Sequence, residues 1–272
     1  MKRFSWFNAT SLTLGFAFLY LPMIILVVYS FNASKLVTVW AGFSTKWYGE
    51  LIQNEAFLDA AWVTIKVAVF SSTIATVLGT MAAYVLVRGG RFFGRTLFSG
   101  MVYAPLVMPE VITGLSLLLL FIGIGLDRGV FTIVLAHATF SMCFVSVVVS
   151  SRLVSFDRSL EEAALDLGCT PWQAFRLVTL PIIAPAVISG WLLAFTLSLD
   201  DLVIASFTSG PSSTTLPIKI FSAVRLGVSP EINALSTIMI AIVTIGVVTF
   251  SITSKRAAVR RDRDARAAET PA

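Results

Sequence analysis

The stretch VFTIVLAHATFSMCFVSVVV, residues 130–149, decides the fold class of this chain. It contains no Asp, Glu, Lys or Arg, and its length is what a helix needs to cross a bilayer, about 20 residues at about 1.5 Å each. A membrane β-barrel would need alternating strands of about ten residues, whereas this run is continuously apolar. The stretch therefore predicts a transmembrane helix.

Similar apolar blocks lie on both sides of this run. Together they give six predicted spans, near residues 12–30, 63–87, 98–122, 130–149, 186–206 and 233–252. The 272 residues are 57% hydrophobic and 13% charged, whereas soluble domains carry about 25% charged residues. We therefore predict an all-α polytopic membrane protein, with one transmembrane permease domain over residues 1–252 and a basic tail over 253–272.

The first apolar block follows two basic residues, as the apolar core of a signal peptide does. Its apolar stretch is longer than a typical signal-peptide core, and no small-residue cleavage pattern follows it. We therefore predict that this block is a retained first helix.

Basic residues are unevenly distributed between the alternating connections. Cytoplasmic loops of membrane proteins carry an excess of Lys and Arg. On this rule both termini are cytoplasmic, and the opposite connections hold fewer basic residues. The basic residues assigned to the cytoplasmic side are Lys2, Arg3, Arg88, Arg91, Arg95, Arg152, Arg158, Arg176, Lys255, Arg256, Arg260, Arg261, Arg263 and Arg266. The net charge of +5 follows mostly from this bias, so it gives no reason to expect nucleic acid as a partner.

The two larger outer connections have different compositions. Residues 31–61 are rich in aromatics among polar residues, which favours helices at the outer membrane interface. An interfacial anchor and a surface that receives a partner protein explain this pattern equally well. Residues 207–232 contain turn formers and then a possible short helix. The basic tail suits contact with anionic lipid.

The two cysteines indicate neither a disulfide nor a metal site. Cys143 lies inside the fourth predicted span and Cys169 in the following connection, and no spaced ligand motif surrounds them. We therefore expect no metal and no cofactor bound by this chain. The glycosylation sequon at Asn32 is interpreted as accidental.

The connection over residues 150–185 is polar and regularly patterned. Ser159 followed by Glu162 predicts a capping box at a helix start, with carboxylates in the first turn where they complement the helix dipole. Gly168 is expected to end this helix in the left-handed conformation. Ala163 and Ala164 would permit close approach by another protein.

A second short helix is predicted in the same connection. Pro171 stands at a favoured first-turn position, and Pro181 and Pro185 are expected to end the helix before the fifth span. Residues 159–181 thus form a predicted two-helix element between two spans.

The spacing within this element resembles a known motif. Glu162-Ala163-Ala164, three residues, Gly168, nine residues, Val178, one residue, Leu180-Pro181 is similar to the EAA motif of the membrane subunits of bacterial ABC importers. Val178 replaces the Ile of the motif, which is a mild departure. The resemblance extends over most of the chain to polyamine importer permeases of the Pot family, on Leu199-Asp200-Asp201-Leu202, Thr208-Ser209-Gly210-Pro211 and Leu226–Ala234.

The resemblance implies a type I ABC importer permease fold in a bacterial inner membrane. It also implies four kinds of partner: a second permease subunit, a cytoplasmic ATPase dimer, a periplasmic polyamine-binding protein and the lipid bilayer. The coupling segment would be Glu162, Ala163, Ala164, Gly168, Leu180 and Pro181. ATP and Mg would bind to the partner ATPase, in agreement with the absence of a G-x-x-x-x-G-K-[ST] motif from this sequence. The chain would then not be an enzyme. Putrescine is the substrate that the resemblance favours, with spermidine or another cationic solute as the alternative.

Three carboxylates at depth suggest a substrate pathway. Ionisable residues within a span are costly and are candidates for function. Asp200 and Asp201 lie about 15 residues, or roughly 22 Å, into the fifth span, and Glu110 lies at a similar depth in the third. Pro105 and Pro109 would break the third span near this level. Carboxylates here suit a dication, with Trp191, Phe195, Phe207 or Tyr103 along its methylenes.

Structural roles for the same residues are open alternatives. Asp200 and Asp201 would then cap a helix end or pair with a basic residue, and only one of two neighbours can easily face a pore, because they point about 100° apart. For Glu110 the pathway and structural interpretations are evenly balanced. For His137, a neutral histidine with a hydrogen-bond partner in the core is favoured over a substrate ligand.

Two other functional classes account for the spans less completely. A secondary transporter driven by an ion gradient also places carboxylates within spans, but no internal repeat is evident between the halves of this chain. A channel or scaffold explains the helices and leaves the EAA segment unexplained. Copurification with an ATPase and ATP-dependent uptake would favour the importer.

Overall fold

A computed structural model describes residues 6–35, 39–226, 230–242, 244–245, 248 and 252. The described part is helical, and its one β-type pairing is an isolated bridge between Asn32 and Phe43. The helices are α1 (Trp6–Tyr29), α2 (Lys46–Gln53), α3 (Glu55–Arg88), α4 (Arg95–Val107), α5 (Glu110–Gly123), α6 (Val130–Ser155), α7 (Ser159–Asp166), α8 (Pro171–Ala174), α9 (Leu180–Asp200), α10 (Val203–Thr208), α11 (Leu216–Leu226) and α12 (Pro230–Ile242).

Four of the described helical segments are long and apolar enough to cross a bilayer. They are α1, α3, α6 and the continuous helical stretch Pro171–Asp200 that ends with α9. Helices α4 and α5 supply a fifth span if they are counted together. For the sixth predicted span, 233–252, α12 covers the first part, and most of the positions after Ile242 lie outside the described residues. The predicted tail, 253–272, also lies outside them.

The third predicted span, 98–122, is two helices rather than one. Helix α4 ends at Val107, Met108 is extended, and α5 begins at Glu110 with an angle of 117° between the two helices. The cause is Pro109, because its ring disfavours helical geometry at the preceding residue. Pro105 lies inside α4 and does not end it. The predicted break is therefore confirmed at Pro109 and wrong at Pro105.

The fifth predicted span, 186–206, has different bounds in the structure. Helix α9 begins at Leu180 and ends at Asp200, and the short helix α10 follows after Asp201 and Leu202. The backbone at Asp201 is extended. A break therefore interrupts the chain at the acidic pair that the sequence predicted to lie within one helix.

The structure divides into two compact units. The first unit contains residues up to Glu55 and those from Ser222 onward. In this unit Trp47 of α2 stabilises the aromatic-rich connection that follows α1, because its indole N–H donates to the Asn32 carbonyl at 2.6 Å. The Asn32 side chain is buried, donates to Val39 O and accepts from Ala41 N–H. This burial supports the interpretation that the sequon is accidental.

The second unit, residues 56–221, is built around α6. Buried side chains of α6 pack against α3 and α9 on one side and against α5 and α10 on another. The backbones of α3 and α6 come close at Gly79, where an added Cβ would lie 2.7 Å from the Met142 carbonyl oxygen. Helices α5 and α9, which carry Glu110 and Asp200, are thus packed on one central helix.

Candidate coupling segment and carboxylate cleft

Helix α7 begins the candidate coupling segment, but its cap differs from the predicted one. The predicted box between Ser159 and Glu162 is wrong: the Ser159 N–H donates to Asp157 Oδ1 at 3.0 Å, and the residue before the helix is Arg158. Hydrogen bonds from Ser159 hold the pKa of Asp157 below its usual value. Aspartate is as good a helix-start acceptor as serine, and here it lies two residues earlier.

Gly168 ends α7 as the sequence predicts. Its φ of +89° is in the left-handed region, and the Cys169 N–H donates back to the Ala164 carbonyl at 3.0 Å. This is the hydrogen bond of a Schellman ending, which favours glycine. A Cβ added at Gly168 would meet nothing within 4 Å. The requirement for glycine is therefore set by the backbone conformation alone.

The second helix of the segment starts as expected and continues further than expected. Pro171 occupies the first turn of α8, which Thr170 and Gln173 stabilise by a reciprocal capping box. The T-x-x-Q spacing was available in the sequence and was missed. Pro181 and Pro185 do not end the helix, since both lie within α9.

A π-helical turn over Phe175–Thr179 explains why the helix passes Pro181. In this wider turn the Leu180 N–H donates to the Phe175 carbonyl, five residues back. A proline normally clashes with the carbonyl four residues earlier. A local π-turn changes the register of the carbonyls and lets the helix accommodate the ring. The predicted two-helix element is therefore joined directly to the fifth span.

The surface of the segment combines charge with exposed apolar side chains. Glu162, Ala163 and Gly168 are exposed, whereas Ala164 is buried and packs inward. Only one of the two alanines can therefore admit close approach by another protein. The large apolar side chains of Leu167 and Trp172 are 87% and 67% exposed, which is typical of a surface that another protein covers.

A buried ion pair lies behind this surface, and the sequence did not reveal it. The Arg88 Nε, at the end of α3, lies 2.9 Å from Glu161 Oε2. The Thr179 hydroxyl donates to the other carboxylate oxygen, Oε1, at 2.6 Å. Arg88 also donates to the Phe156 carbonyl at 3.2 Å, beyond the end of α6. We call Arg88, Glu161, Thr179 and Phe156 the junction cluster.

The three predicted pathway carboxylates line one cavity. This carboxylate cleft has a volume of about 230 Å³ and lies where α5 begins and where α9 gives way to α10. Glu110 is in the first turn of α5, and Asp200 is the last residue of α9. The residues that line the cleft are Glu110, Phe140, Leu197, Asp200, Asp201, Leu202 and Val203.

The Asp201 carboxylate is bound by groups of the protein itself, as the structural alternative for this residue predicted. Its carboxylate accepts the Ala205 N–H at 2.7 Å and the Ile204 N–H at 3.3 Å, so it caps α10. His137 Nε2 lies 3.0 Å from Asp201 Oδ2, and the Asp201 side chain is only 9% exposed.

His137 connects this cap to the core. Its Nδ1 lies 2.7 Å from the Ser198 hydroxyl, which in turn accepts a hydrogen bond from the Ser71 hydroxyl. The ring is 2% exposed. The interpretation of His137 as a core histidine with a hydrogen-bond partner is therefore confirmed, and its partners include one of the cleft carboxylates.

Asp200 and Glu110 have a different environment from Asp201. Both are exposed, and neither forms an ion pair with any residue in the described part of the chain. They are therefore the two carboxylates of the cleft that are open to an incoming cation.

The aromatic residues suggested for the cleft lie elsewhere. Trp191 stacks on Phe195 and donates to the Thr73 hydroxyl, Phe207 packs over Gly114, and Tyr103 packs against a cluster between α3 and α4. The aromatic ring in the cleft lining belongs instead to Phe140 of α6. Sequence reasoning missed it because α6 gives no periodic signal for which of its faces meets α9.

No group of three or more His, Cys, Asp or Glu side chains in the described ranges is arranged to hold a metal ion. Cys143 is buried and Cys169 is partly buried, and neither is in a disulfide.

Comparison with known proteins identifies the class. The family described as binding-protein-dependent transport system inner membrane component matches residues 75–263. The chain belongs to this family and is an inner-membrane permease component of the ABC-transporter type.

Individual relatives narrow the comparison. The chain is 60% identical over 245 residues to the putrescine transport system permease protein PotI of Escherichia coli K12, covering 88% of this chain and 86% of PotI. It is 43% identical to the spermidine/putrescine transport system permease protein PotC of the same strain, covering 90% of this chain and 92% of PotC.

A solved structure supports the fold. The bacterial ABC transporter involved in the import of the acidic polysaccharide alginate has a chain that matches with a TM-score of 0.69 at 19% identity, covering 91% of this chain and 94% of that one. The fold is therefore that of ABC-importer permeases.

Proposed function

We propose that this chain is one membrane subunit of an ATP-driven importer of polyamines, with putrescine as its substrate. The observation that carries the proposal is the 60% identity to PotI over most of both chains. The carboxylate cleft supports it independently, because a diamine carries two ammonium groups that need anionic partners.

In the proposed pathway, Asp200 and Glu110 bind the ammonium groups of the passing amine. Both are exposed in the cleft, and charge-assisted hydrogen bonds to carboxylates are the stronger kind. The Phe140 ring offers a face for the methylenes or for a cation–π contact. Asp201 is a positioning residue, because its oxygens already serve α10 and His137.

The cleft forms one side of the pathway, and a second permease subunit supplies the other. The α4–α5 and α9–α10 breaks interrupt helical backbone next to the cleft, which a membrane protein tolerates where the backbone lines a cavity. Binding by two carboxylates that remain partly solvated is weak enough for release.

The coupling segment contacts a cytoplasmic ATPase pair through Glu162, Ala163, Gly168 and the neighbouring exposed apolar residues. Leu180 and Pro181 link this surface to α9 through the π-turn. The segment faces the cytoplasm together with both termini, in agreement with the distribution of basic residues. ATP and Mg bind to the ATPase and not to this chain, and a periplasmic binding protein delivers the amine.

Uptake into proteoliposomes tests the function. The chain would be reconstituted with its partner permease, the ATPase and the binding protein, and radiolabelled putrescine uptake measured with ATP or a non-hydrolysable analogue inside. We expect uptake only with hydrolysable ATP, with unlabelled putrescine competing better than spermidine.

Two outcomes separate the alternatives. Stronger competition by spermidine would keep the amine importer and change the substrate. Uptake without the ATPase that uncouplers abolish would favour a secondary transporter and contradict the proposal.

A further inference from the structure

In the junction cluster, the Glu161 carboxylate lies between α7, which we call the coupling helix, and the spans of α3 and α9. Glu161 belongs to α7, and its two oxygens are used by different elements: Oε2 by Arg88 of α3 and Oε1 by Thr179 of the π-turn before α9. We propose that Glu161 is the positioning residue that transmits movement between the coupling helix and these spans. This inference rests on the proposed ATP-driven function.

The other connections of α7 are poorly suited to this task. Its covalent links are the short stretch after α6 and the turn at Gly168, and neither of them connects α7 to α3. Apolar contact by Ala164 limits separation of the helices but not sliding. The 2.6 Å hydrogen bond from Thr179 and the 2.9 Å ion pair with Arg88 hold the Glu161 carboxylate between two other elements, so that pivoting or sliding of α7 lengthens at least one of the two contacts.

Arg88 extends the junction to the central helix. Its guanidinium donates to the Phe156 carbonyl and lies 5.5 Å from the centre of the Phe156 ring, next to the end of α6. Through the Glu161 carboxylate, α7 is therefore connected by the Arg88 ion pair to α3 and the end of α6, and by the Thr179 hydrogen bond to the π-turn before α9. A rigid-body transition of the spans needs such a stiff connection to the element that receives the force.

The adjacent glutamate shows that this arrangement is specific to one position. The Glu162 side chain is 60% exposed and pairs with Arg158, four residues away on the same helical stretch. The Glu161 side chain is 10% exposed and bonds only to residues of other elements. Within the EAA region, Glu162 thus lies on the outer surface, and Glu161 connects that surface to the spans.

The test uses two variants, each of which removes one of the two contacts of the Glu161 carboxylate. Glu161→Gln removes the charge that holds Arg88, and Thr179→Val removes the hydroxyl while it keeps the ion pair and the side-chain volume. Asp127→Asn, at an exposed acid of the loop between α5 and α6, is the matched control. The measurement is putrescine uptake per ATP hydrolysed in the fully reconstituted complex, together with the stimulation of hydrolysis by the loaded binding protein.

We expect Glu161→Gln to lower uptake per ATP by about tenfold, as loss of a charge-assisted hydrogen bond would, and Thr179→Val to lower it by about threefold. The amount of assembled complex is expected to stay near wild type in Thr179→Val and to fall in Glu161→Gln, because Glu161→Gln leaves Arg88 buried without a carboxylate. Unstimulated ATP hydrolysis per assembled complex is expected to stay near wild type in both variants. Asp127→Asn is expected to match wild type in every measurement.

A merely structural role predicts a different result. Uptake and hydrolysis would then fall together with the amount of complex, and uptake per ATP would keep its wild-type value. A wild-type ratio of putrescine uptake to ATP hydrolysis in either variant overturns the proposal. If Glu161→Gln yields no complex, Thr179→Val decides by the same ratio. If the wild-type complex itself shows no ATP-dependent uptake, the proposed function fails, and that result is distinct from a failure of the junction alone.

Discussion

The junction cluster and the carboxylate cleft both contain acidic residues, but the environments of these residues are opposite. In the junction cluster, Glu161 is buried and both of its oxygens are occupied by fixed partners. In the cleft, Asp200 and Glu110 are exposed and form no ion pair with a described residue. A carboxylate with fixed partners holds helices together, and one without them is available to a mobile cation.

Asp201 shows that the difference depends on local structure and not on residue type. It follows Asp200 directly, yet its oxygens cap α10 and contact His137. The extended backbone at Asp201 turns its side chain into the protein, while Asp200 ends α9 at the cleft. The cleft therefore holds both kinds of carboxylate next to each other.

The largest effect is expected from Arg88→Met. It leaves the Glu161 carboxylate buried without a cation, which costs about 3–5 kcal/mol of stability. Thermal unfolding in detergent would measure the loss. The double variant Arg88→Met with Glu161→Met should recover most of the stability, because it removes both charges, without recovering ATP-coupled uptake. Equal instability of the single and double variants would contradict a role for charge burial.

The next largest effect is expected in the cleft, where Asp200→Asn and Glu110→Gln should lower uptake without a comparable loss of stability. Each removes a charge-assisted contact worth about 1.5–3 kcal/mol, so KM for putrescine should rise by about tenfold or more. Initial uptake rates over a putrescine series would measure it, with the exposed loop variant Asp127→Asn as control. Unchanged uptake in both single variants and in the double variant would indicate that these two residues have only a structural role.

His137→Leu should lower both the stability of the protein and its putrescine uptake, each by a smaller amount. The change leaves Asp201 without its imidazole partner and Ser198 with one contact fewer, at a cost of about 1–3 kcal/mol. Thermal unfolding would show the loss, and uptake would fall less than in Asp200→Asn. A larger fall in uptake than for Asp200→Asn would mean that His137 or Asp201 contacts the substrate.

The smallest change in stability is expected from Gly168→Val. A β-branched residue at φ +89° costs about 1–2 kcal/mol of backbone strain, and the space around the glycine adds no steric cost. Insertion into the membrane should persist while ligand-stimulated ATP hydrolysis declines, and Gly168→Asn should be milder because asparagine tolerates this conformation. Full stimulation in Gly168→Val would show that the turn need not be stiff.

Local signals in the sequence predicted the features that depend on neighbouring residues. The spans of α3 and α6 follow from continuous apolar runs, the α4–α5 break from Pro109, and the end of α7 from Gly168. The depth estimate also brought Glu110 near Asp200 and Asp201, and the structure places all three around one cavity. These features need only helix geometry and the steric rules of proline and glycine.

Long-range contacts were not predictable in the same way. Nothing in the local pattern pairs Arg88 with Glu161, or His137 with Asp201, since the two residues of each pair are far apart in the sequence. The error at Pro181 has a related cause, because only the π-turn before it lets the helix continue. Tertiary packing decides these features, and a single sequence carries little information about it.

The most direct test of ATP-driven coupling is putrescine uptake per ATP hydrolysed in the complete reconstituted complex. The wild-type complex is expected to accumulate putrescine only while it hydrolyses ATP, and the assembled Glu161→Gln complex is expected to take up about tenfold less putrescine per ATP. Uphill accumulation by this chain without any ATPase would contradict its role as a subunit of an ATP-driven importer.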